Sequence, residues 1–242
     1  MNTDPHRPLR DATEDVASAR HHAEESPQAS SAAYRLAFDD PDFLTRPELR
    51  PVRLQLELLK PQLEMDERGI VSTVVLFGGA RIRAPGTQVR TADLAEMSKY
   101  YAEARAFARA ITERSVATGC TEHVIVTGGG PGVMEAGNRG AADAGGCSIG
   151  LNIVLPHEQE PNRYITPELC FNFHYFGVRK MHFLLRAEAI AVFPGGFGTL
   201  DELFEALTLI QTGRMEQVPV LLFGEDFWRR VINFDALVGA GT

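Results

Sequence analysis

From residue 71 onward, apolar positions follow two alternating rhythms. Short apolar runs at Val71–Phe77, His123–Thr127, Ser148–Leu155 and Ala189–Phe193 predict buried strands, with shorter ones at Leu169–His174 and Pro219–Phe223. Between them, apolar residues recur at helical spacing over Thr91–Ser115, Val133–Ala144, Val178–Glu188 and Asp226–Leu237. After Phe193, Leu200, Leu203, Phe204, Leu207 and Ile210 fall at i, i+3, i+4, i+7 and i+10, which predicts another helix. Strands separated by helices imply right-handed crossovers and a doubly wound parallel α/β sheet with helices on both faces. Ahead of it, Leu49, Val52, Leu56, Leu59 and Leu63 form a stripe that predicts an amphipathic helix over Pro47–Glu67, broken or kinked at Pro61. Residues 1–31 are polar, of mixed charge and without period, the pattern of a disordered tail. The expected organisation is this tail over 1–31, a helical extension over 32–69 and the α/β domain over 70–242.

Three of the predicted strands run into glycine: Gly78-Gly79-Ala80-Arg81, Gly128-Gly129-Gly130-Pro131-Gly132 and Pro194-Gly195-Gly196-Phe197-Gly198. Ligands of parallel sheets collect at the carboxyl ends of the strands. A glycine loop that opens a helix offers bare N–H groups and a positive dipole end to a phosphate. Three such loops on one sheet edge point to a nucleotide-sized ligand. Thr199 reads as the N-cap of the helix after the third loop. Glu202, three residues later, has two readings: a capping box with Thr199, or a carboxylate held beside a phosphate to act on the sugar that carries it. The second loop lacks the third glycine of the dinucleotide fingerprint, and no G-x-x-x-x-G-K-[ST] phosphate loop occurs. Arg179 and Lys180 stand at the start of a predicted helix. They read either as a solvated pair or as cations kept at a positive helix end by an anion.

Composition narrows the chemistry. At 242 residues the chain has room for one large α/β domain and an extension. A net charge of −8 argues against nonspecific binding to nucleic acid or anionic membranes. Lysine occurs only at positions 60, 99 and 180, which leaves little room for lysine-dependent chemistry. Cys120, Cys147 and Cys170 form no C-x-x-C pair and suit a reducing compartment, with neither disulfides nor zinc expected. No H-E-x-x-H occurs, and His157-Glu158 has no identifiable partners, so neither metal nor cofactor is expected. No apolar run approaches membrane-spanning length, and the first ten residues lack a signal-peptide core; the expected location is the cytoplasm.

Pro194-Gly195-Gly196-Phe197-Gly198-Thr199-Leu200-Asp201-Glu202 matches in full the P-G-G-x-G-T-x-x-E signature of the LONELY GUY family, and the chain resembles that family from about Val71 to Leu237. The family's Arg-Lys pair falls on Arg179-Lys180, and its G-G-G-x-x-G-x-M loop falls on Thr127 to Met134, with Thr127 in place of the first glycine. Phe176-Gly177 replaces the usual Met-His, and with the N-terminal helix this is similar to the longer bacterial branch. The resemblance implies a Rossmann-like domain that hydrolyses the N-glycosidic bond of a nucleoside 5′-monophosphate, such as AMP or a cytokinin riboside 5′-monophosphate. It implies catalytic roles for Glu202 and Arg179, and substrate contacts from Gly128, Gly129, Gly130, Met134, Lys180, Gly195, Gly196, Gly198 and Thr199. A homodimer or higher homo-oligomer is expected with it. The decarboxylase label often given to such proteins needs a Schiff-base lysine, and only Lys180 lies near a ligand loop. The competing reading is a non-enzymatic carrier or sensor of a nucleotide-like cofactor on the same fold.

Overall fold

The structure, a computed structural model, describes residues 11–22, 26–156 and 160–241. Contacts divide the chain into two compact units, residues 1–56 and 57–242. In the first, α1 (Ala12–His22) and α2 (Pro41–Leu44) precede α3 (Arg50–Glu67), which continues into the second. Helix α1 corrects the expectation of a disordered tail over 1–31, of which 1–10 and 23–25 lie outside the described residues. It buries no side chain, so no apolar period announces it, but Glu14 and Asp15 at its start and Arg20 near its end suit the helix dipole. Asp40 starts α2 by accepting from the N–H groups of Asp42 and Phe43, with Pro41 in the first helical position.

Helix α3 runs through Pro61 rather than ending there, against expectation. Proline has no N–H to give the carbonyl of Glu57 one turn back. That carbonyl instead lies 3.2 Å from Nε2 of buried His182. A bond from another element replaces the helical one.

The second unit has the expected architecture. Strands β1 (Thr73–Phe77), β2 (Val124–Thr127), β3 (Ser148–Ile153), β4 (Cys170–Phe173), β5 (Ala187–Val192) and β6 (Val220–Leu222) form one sheet in the order β4-β3-β2-β1-β5-β6. All five pairings are parallel. Helices α4 (Ala92–Glu96), α5 (Ser98–Ala117), α6 (Val133–Asp143), α7 (Phe176–Leu184), α8 (Phe197–Gln211), α9 (Glu225–Val231) and α10 (Phe234–Gly239) complete it. The long helix expected over Thr91–Ser115 is two, because Thr91 caps α4 and α5 starts anew at Ser98. The expected final helix also divides, with Asn233 capping α10.

Every residue of β1 is buried, as a central strand covered on both faces requires. Val74 and Leu76 meet Tyr101, Ala104 and Ala108 of α5 and Val133 and Ala136 of α6 in one cluster. Phe77 packs edge-on against Phe183 of α7 on the other face, with ring centroids 5.0 Å apart. Among the described residues, no helix is long and apolar enough to cross a membrane. His157 and Glu158 lie outside the described residues.

Candidate active site

From β1 the chain builds outward through β2, β3 and β4, then returns to lay β5 against the other edge of β1. At that reversal the loops leaving β1 and β5, joined by a bond from the Gly79 N–H to the Pro194 carbonyl at 2.9 Å, border a crevice at the carboxyl edge. A cleft of about 680 Å³ lies there, and its wall draws on the loops after β1, β2 and β5 and on α7 and α8. Of the expected site residues, Gly128, Met134, Arg179, Gly195, Gly196, Gly198, Thr199 and Glu202 line it.

The helix that opens on this cleft begins earlier than its sequence suggests. Gly196 is the N-cap of α8 and makes no side-chain bond; Thr199, expected at that position, is buried inside the first turn. Leu200 is the first residue to donate back, to the Gly196 carbonyl at 3.0 Å. The N–H groups of Phe197, Gly198 and Thr199 therefore emerge from the helix start toward the cleft. A Cβ on Gly195 would overlap the Thr199 hydroxyl, whereas one on Gly196 or Gly198 would stand in open space. The first glycine serves the fold; the other two leave the approach to the N–H groups clear. The shift also removes the capping box, since Glu202 lies a further turn along α8, out of the N3 position that box requires.

Glu202 faces Arg179 instead. Oε1 of Glu202 is 3.5 Å from Nη1 of Arg179, with side chains 16% and 10% exposed. Arg179 donates from Nε to the Leu151 carbonyl at 2.7 Å and lies over the Phe183 ring, 5.0 Å from its centroid. Its Nη2 occupies space that a Cβ on Gly128 would invade at 2.6 Å, so this glycine makes room for the arginine. Burial pushes the Glu202 carboxyl up to about 7, against the pull of Arg179. Burial also lowers the pKa of the Arg179 guanidinium, with Glu202 opposing the shift. Desolvation outweighs attraction in this pair, and a carboxyl that titrates at neutral pH results.

The second glycine loop is shaped from behind. Thr127, where the family pattern has glycine, donates to Asn138 Oδ1 at 2.7 Å and accepts from the Gly129 N–H at 3.0 Å. Asn162 donates to the carbonyls of Gly129 and Gly130 at 3.0 and 3.1 Å and to Asn138 at 2.8 Å. Gly129, at φ +75°, has Asn152 packed where a Cβ would stand. Gly129 and Gly130, expected at the substrate, are turned into this network and are absent from the cleft wall.

Lys180 is absent from it too. Its Nζ pairs with Asp201 at 2.7 Å and Glu205 at 3.0 Å, joining α7 to α8 outside the cleft. Burial alone would lower its pKa, but the two carboxylates raise it, which is the wrong direction for a Schiff-base lysine. Arg81, Met97, Asn152 and Phe176 line the cleft without having been expected as site residues from sequence. Arg81 carried a signal, as a cation closing a glycine loop; Met97 and Phe176 resemble any helix-face apolar residue. Among the described residues, no three His, Cys, Asp or Glu side chains gather into a metal-binding group.

Residues 134–242 match a family model described as "Possible lysine decarboxylase". Over 105 residues the chain is 31% identical to the "Probable cytokinin riboside 5'-monophosphate phosphoribohydrolase LOGL5" of Oryza sativa subsp. japonica, covering 43% of this chain and 41% of that protein. Over 113 residues it is 26% identical to the "Cytokinin riboside 5'-monophosphate phosphoribohydrolase LOG3" of Arabidopsis thaliana, covering 46% of this chain and 51% of that one. The matches thus span about half the length of these relatives or less. Among solved structures, the molybdenum cofactor binding protein of Rippkaea orientalis aligns over 68% of this chain and 85% of its own at 19% identity and TM-score 0.45. The molybdenum cofactor carrier protein of Chlamydomonas reinhardtii aligns over 62% and 75% at 20% identity and TM-score 0.39. The likeness to the LONELY GUY family carried by the P-G-G-x-G-T-x-x-E motif is found again in the sequence comparisons.

Proposed function

We propose that this chain, a relative of the LONELY GUY phosphoribohydrolases by motif and by sequence, hydrolyses the N-glycosidic bond of nucleoside 5′-monophosphates to free base and ribose 5-phosphate. The observation that carries the reading is the buried Arg179–Glu202 pair, 3.5 Å apart, beside the open start of α8. The 5′-phosphate sits on the N–H groups of Phe197, Gly198 and Thr199, where the helix dipole favours an anion. As the bond from C1′ to the base breaks, its electron pair leaves with the base, which takes up a proton from solvent, and positive charge grows on the ribose. Ionised Glu202 stabilises that charge and accepts the proton of the water that attacks C1′. Arg179 keeps Glu202 within reach of ionisation in a site whose dryness favours the neutral acid.

The test is free base released from AMP without added metal, measured by chromatography, with adenosine as control. AMP should be cleaved and adenosine, which lacks the phosphate, cleaved poorly; equal turnover of both overturns the phosphate anchor. Tight AMP binding with no release of base by any nucleoside monophosphate favours the carrier reading. The chain is also at least a dimer in this proposal, because Phe176 and Met181 of α7, Leu185 at its C-cap, and Leu59 and Leu63 of α3 are about half exposed. Light scattering that finds only monomer at micromolar concentration rejects the dimer.

A further inference from the structure

Helix α7 carries Arg179 and is held at its start by a residue 117 positions away in sequence. The carboxylate of Glu57 accepts from the backbone N–H of His174 at 2.8 Å and of Tyr175 at 3.1 Å, just where α7 begins. Tyr175, the N-cap, has no side-chain bond of its own to the helix; Glu57 instead takes up the backbone N–H of the N-cap itself and places a negative charge at the positive helix end. The same residue binds a second time through its backbone. Pro61 leaves the Glu57 carbonyl without a helical donor, and His182, one turn beyond Arg179 on α7, lies against it. His182 is buried and burial lowers its pKa, so the ring is neutral and Nε2–H is the donor. Beyond α7, Arg186 continues the seam by donating to the Ile70 carbonyl and to Asp66, both at 2.8 Å.

We propose that Glu57 is a positioning residue for catalysis: by gripping α7 at its first turn and again at His182, it sets how far the Arg179 guanidinium reaches toward Glu202. The reach leaves little slack, because Nη1 stands 3.5 Å from the carboxylate while Nε is tied to Leu151. The proposal rests on the phosphoribohydrolase reading for its effect on turnover, but its effect on Glu202 can be measured without turnover. Glu202 is faced by Arg179 and Lys180 from α7 and by Asp201 and Glu205 on its own helix, and Arg81 lines the same cleft. Of these, Arg179 is the strongest force favouring the ionised form, so withdrawing it raises the pH at which Glu202 ionises.

The experiment compares Glu57→Ala and Glu57→Gln with the wild-type chain. The glutamine keeps one carbonyl oxygen to accept from the α7 start and serves as the partial rescue. Three quantities are read: melting temperature, the pH dependence of kcat/KM for AMP, and the titration of the Glu202 side-chain carboxyl by 13C NMR. Glu57→Ala should lower kcat about tenfold and move both the acid limb and the NMR titration to higher pH, with Glu57→Gln in between. If Glu57→Ala does not fold, Glu57→Gln alone must show the upward shift. A lower melting temperature with an unmoved Glu202 titration makes Glu57 a structural tether only and overturns the proposal. Absence of base release by the wild type instead rejects the phosphoribohydrolase reading, and the NMR titration still decides the role of Glu57.

Discussion

Glu202 combines two costs that a merely structural residue avoids. Its carboxyl is nearly dry and its pKa is pushed up to about 7, from an ordinary value near 4.5. The folded chain therefore holds that proton more tightly than the unfolded chain does. Below about pH 4.5 the group costs nothing; as pH rises to about 7 and beyond, ionisation imposes a penalty that grows to about 3 kcal/mol. Glutamine never ionises. The melting temperature of Glu202→Gln relative to wild type should therefore climb between pH 5 and pH 8, and thermal denaturation at both pH values checks it. Turnover of AMP by the same variant should fall about a hundredfold, roughly 3 kcal/mol of barrier, while AMP still binds. A flat stability difference with normal turnover would show that the carboxylate neither resists ionisation nor takes part in the reaction. The candidate pair was legible in sequence because Arg179 and Glu202 sit in recognisable motifs. Lys180 was not separable from Arg179 by that route: adjacent residues leave a helix about 100° apart, and only the fold shows that one enters the cleft and the other faces Asp201.

At the scale of elements, the start of α8 was misplaced for a physical reason. Thr199 has the chemistry of an N-cap, but Gly195, having no Cβ, lets Thr199 pack against it inside the first turn, and the helix begins at Phe197 after an extended Gly196. Capping preference is local and weak; the position of a helix on its sheet is decided by packing, here of Thr199 beneath Gly195. The run through Pro61 is a second case, in which the donor that replaces the lost N–H comes from His182, far along the chain. The early start also separates glycines needed by the fold from those needed by the ligand. Gly198 lies within the first turn of α8, with nothing near the place its Cβ would occupy. Gly198→Ala should stabilise the helix by about 0.5–1 kcal/mol, because alanine loses less backbone entropy there. The new methyl would crowd a phosphate on the adjacent N–H groups, so KM for AMP should rise about tenfold even as the melting temperature rises. A stabilised variant with unchanged KM would place the phosphate elsewhere.

For the whole molecule, the alternation of apolar periods carried the sheet, its parallel sense and the edge where the site lies, because buried central strands and amphipathic helices leave unmistakable spacing. What it did not carry is the polar network behind the second glycine loop, whose members lie on β2, α6, β3 and the segment after β3. Single asparagines and threonines have no period, and nothing in their neighbours marks Asn138 and Asn162 as partners. Asn138 is fully buried at their centre: it accepts from Thr127 and Asn162 and donates to Ser148 Oγ at 3.0 Å. Removing its amide strands the Thr127 hydroxyl in a dry interior, and an unsatisfied buried group costs about 1–3 kcal/mol, whereas Asn162 keeps the Gly129 and Gly130 carbonyls as acceptors. Asn138→Ala should thus destabilise the chain by about 1–3 kcal/mol, read by chemical denaturation at neutral pH. The damage should also reach the cleft. Asn162 pins the Gly129 and Gly130 carbonyls, and Gly128 in the same loop borders the Arg179 guanidinium, so a loosened loop lets the arginine wander. KM and kcat for AMP should then worsen together at temperatures where the variant is still folded. Loss of stability without any change in turnover would mean that the network holds the fold and that Arg179 is fixed by Leu151 and α7 alone.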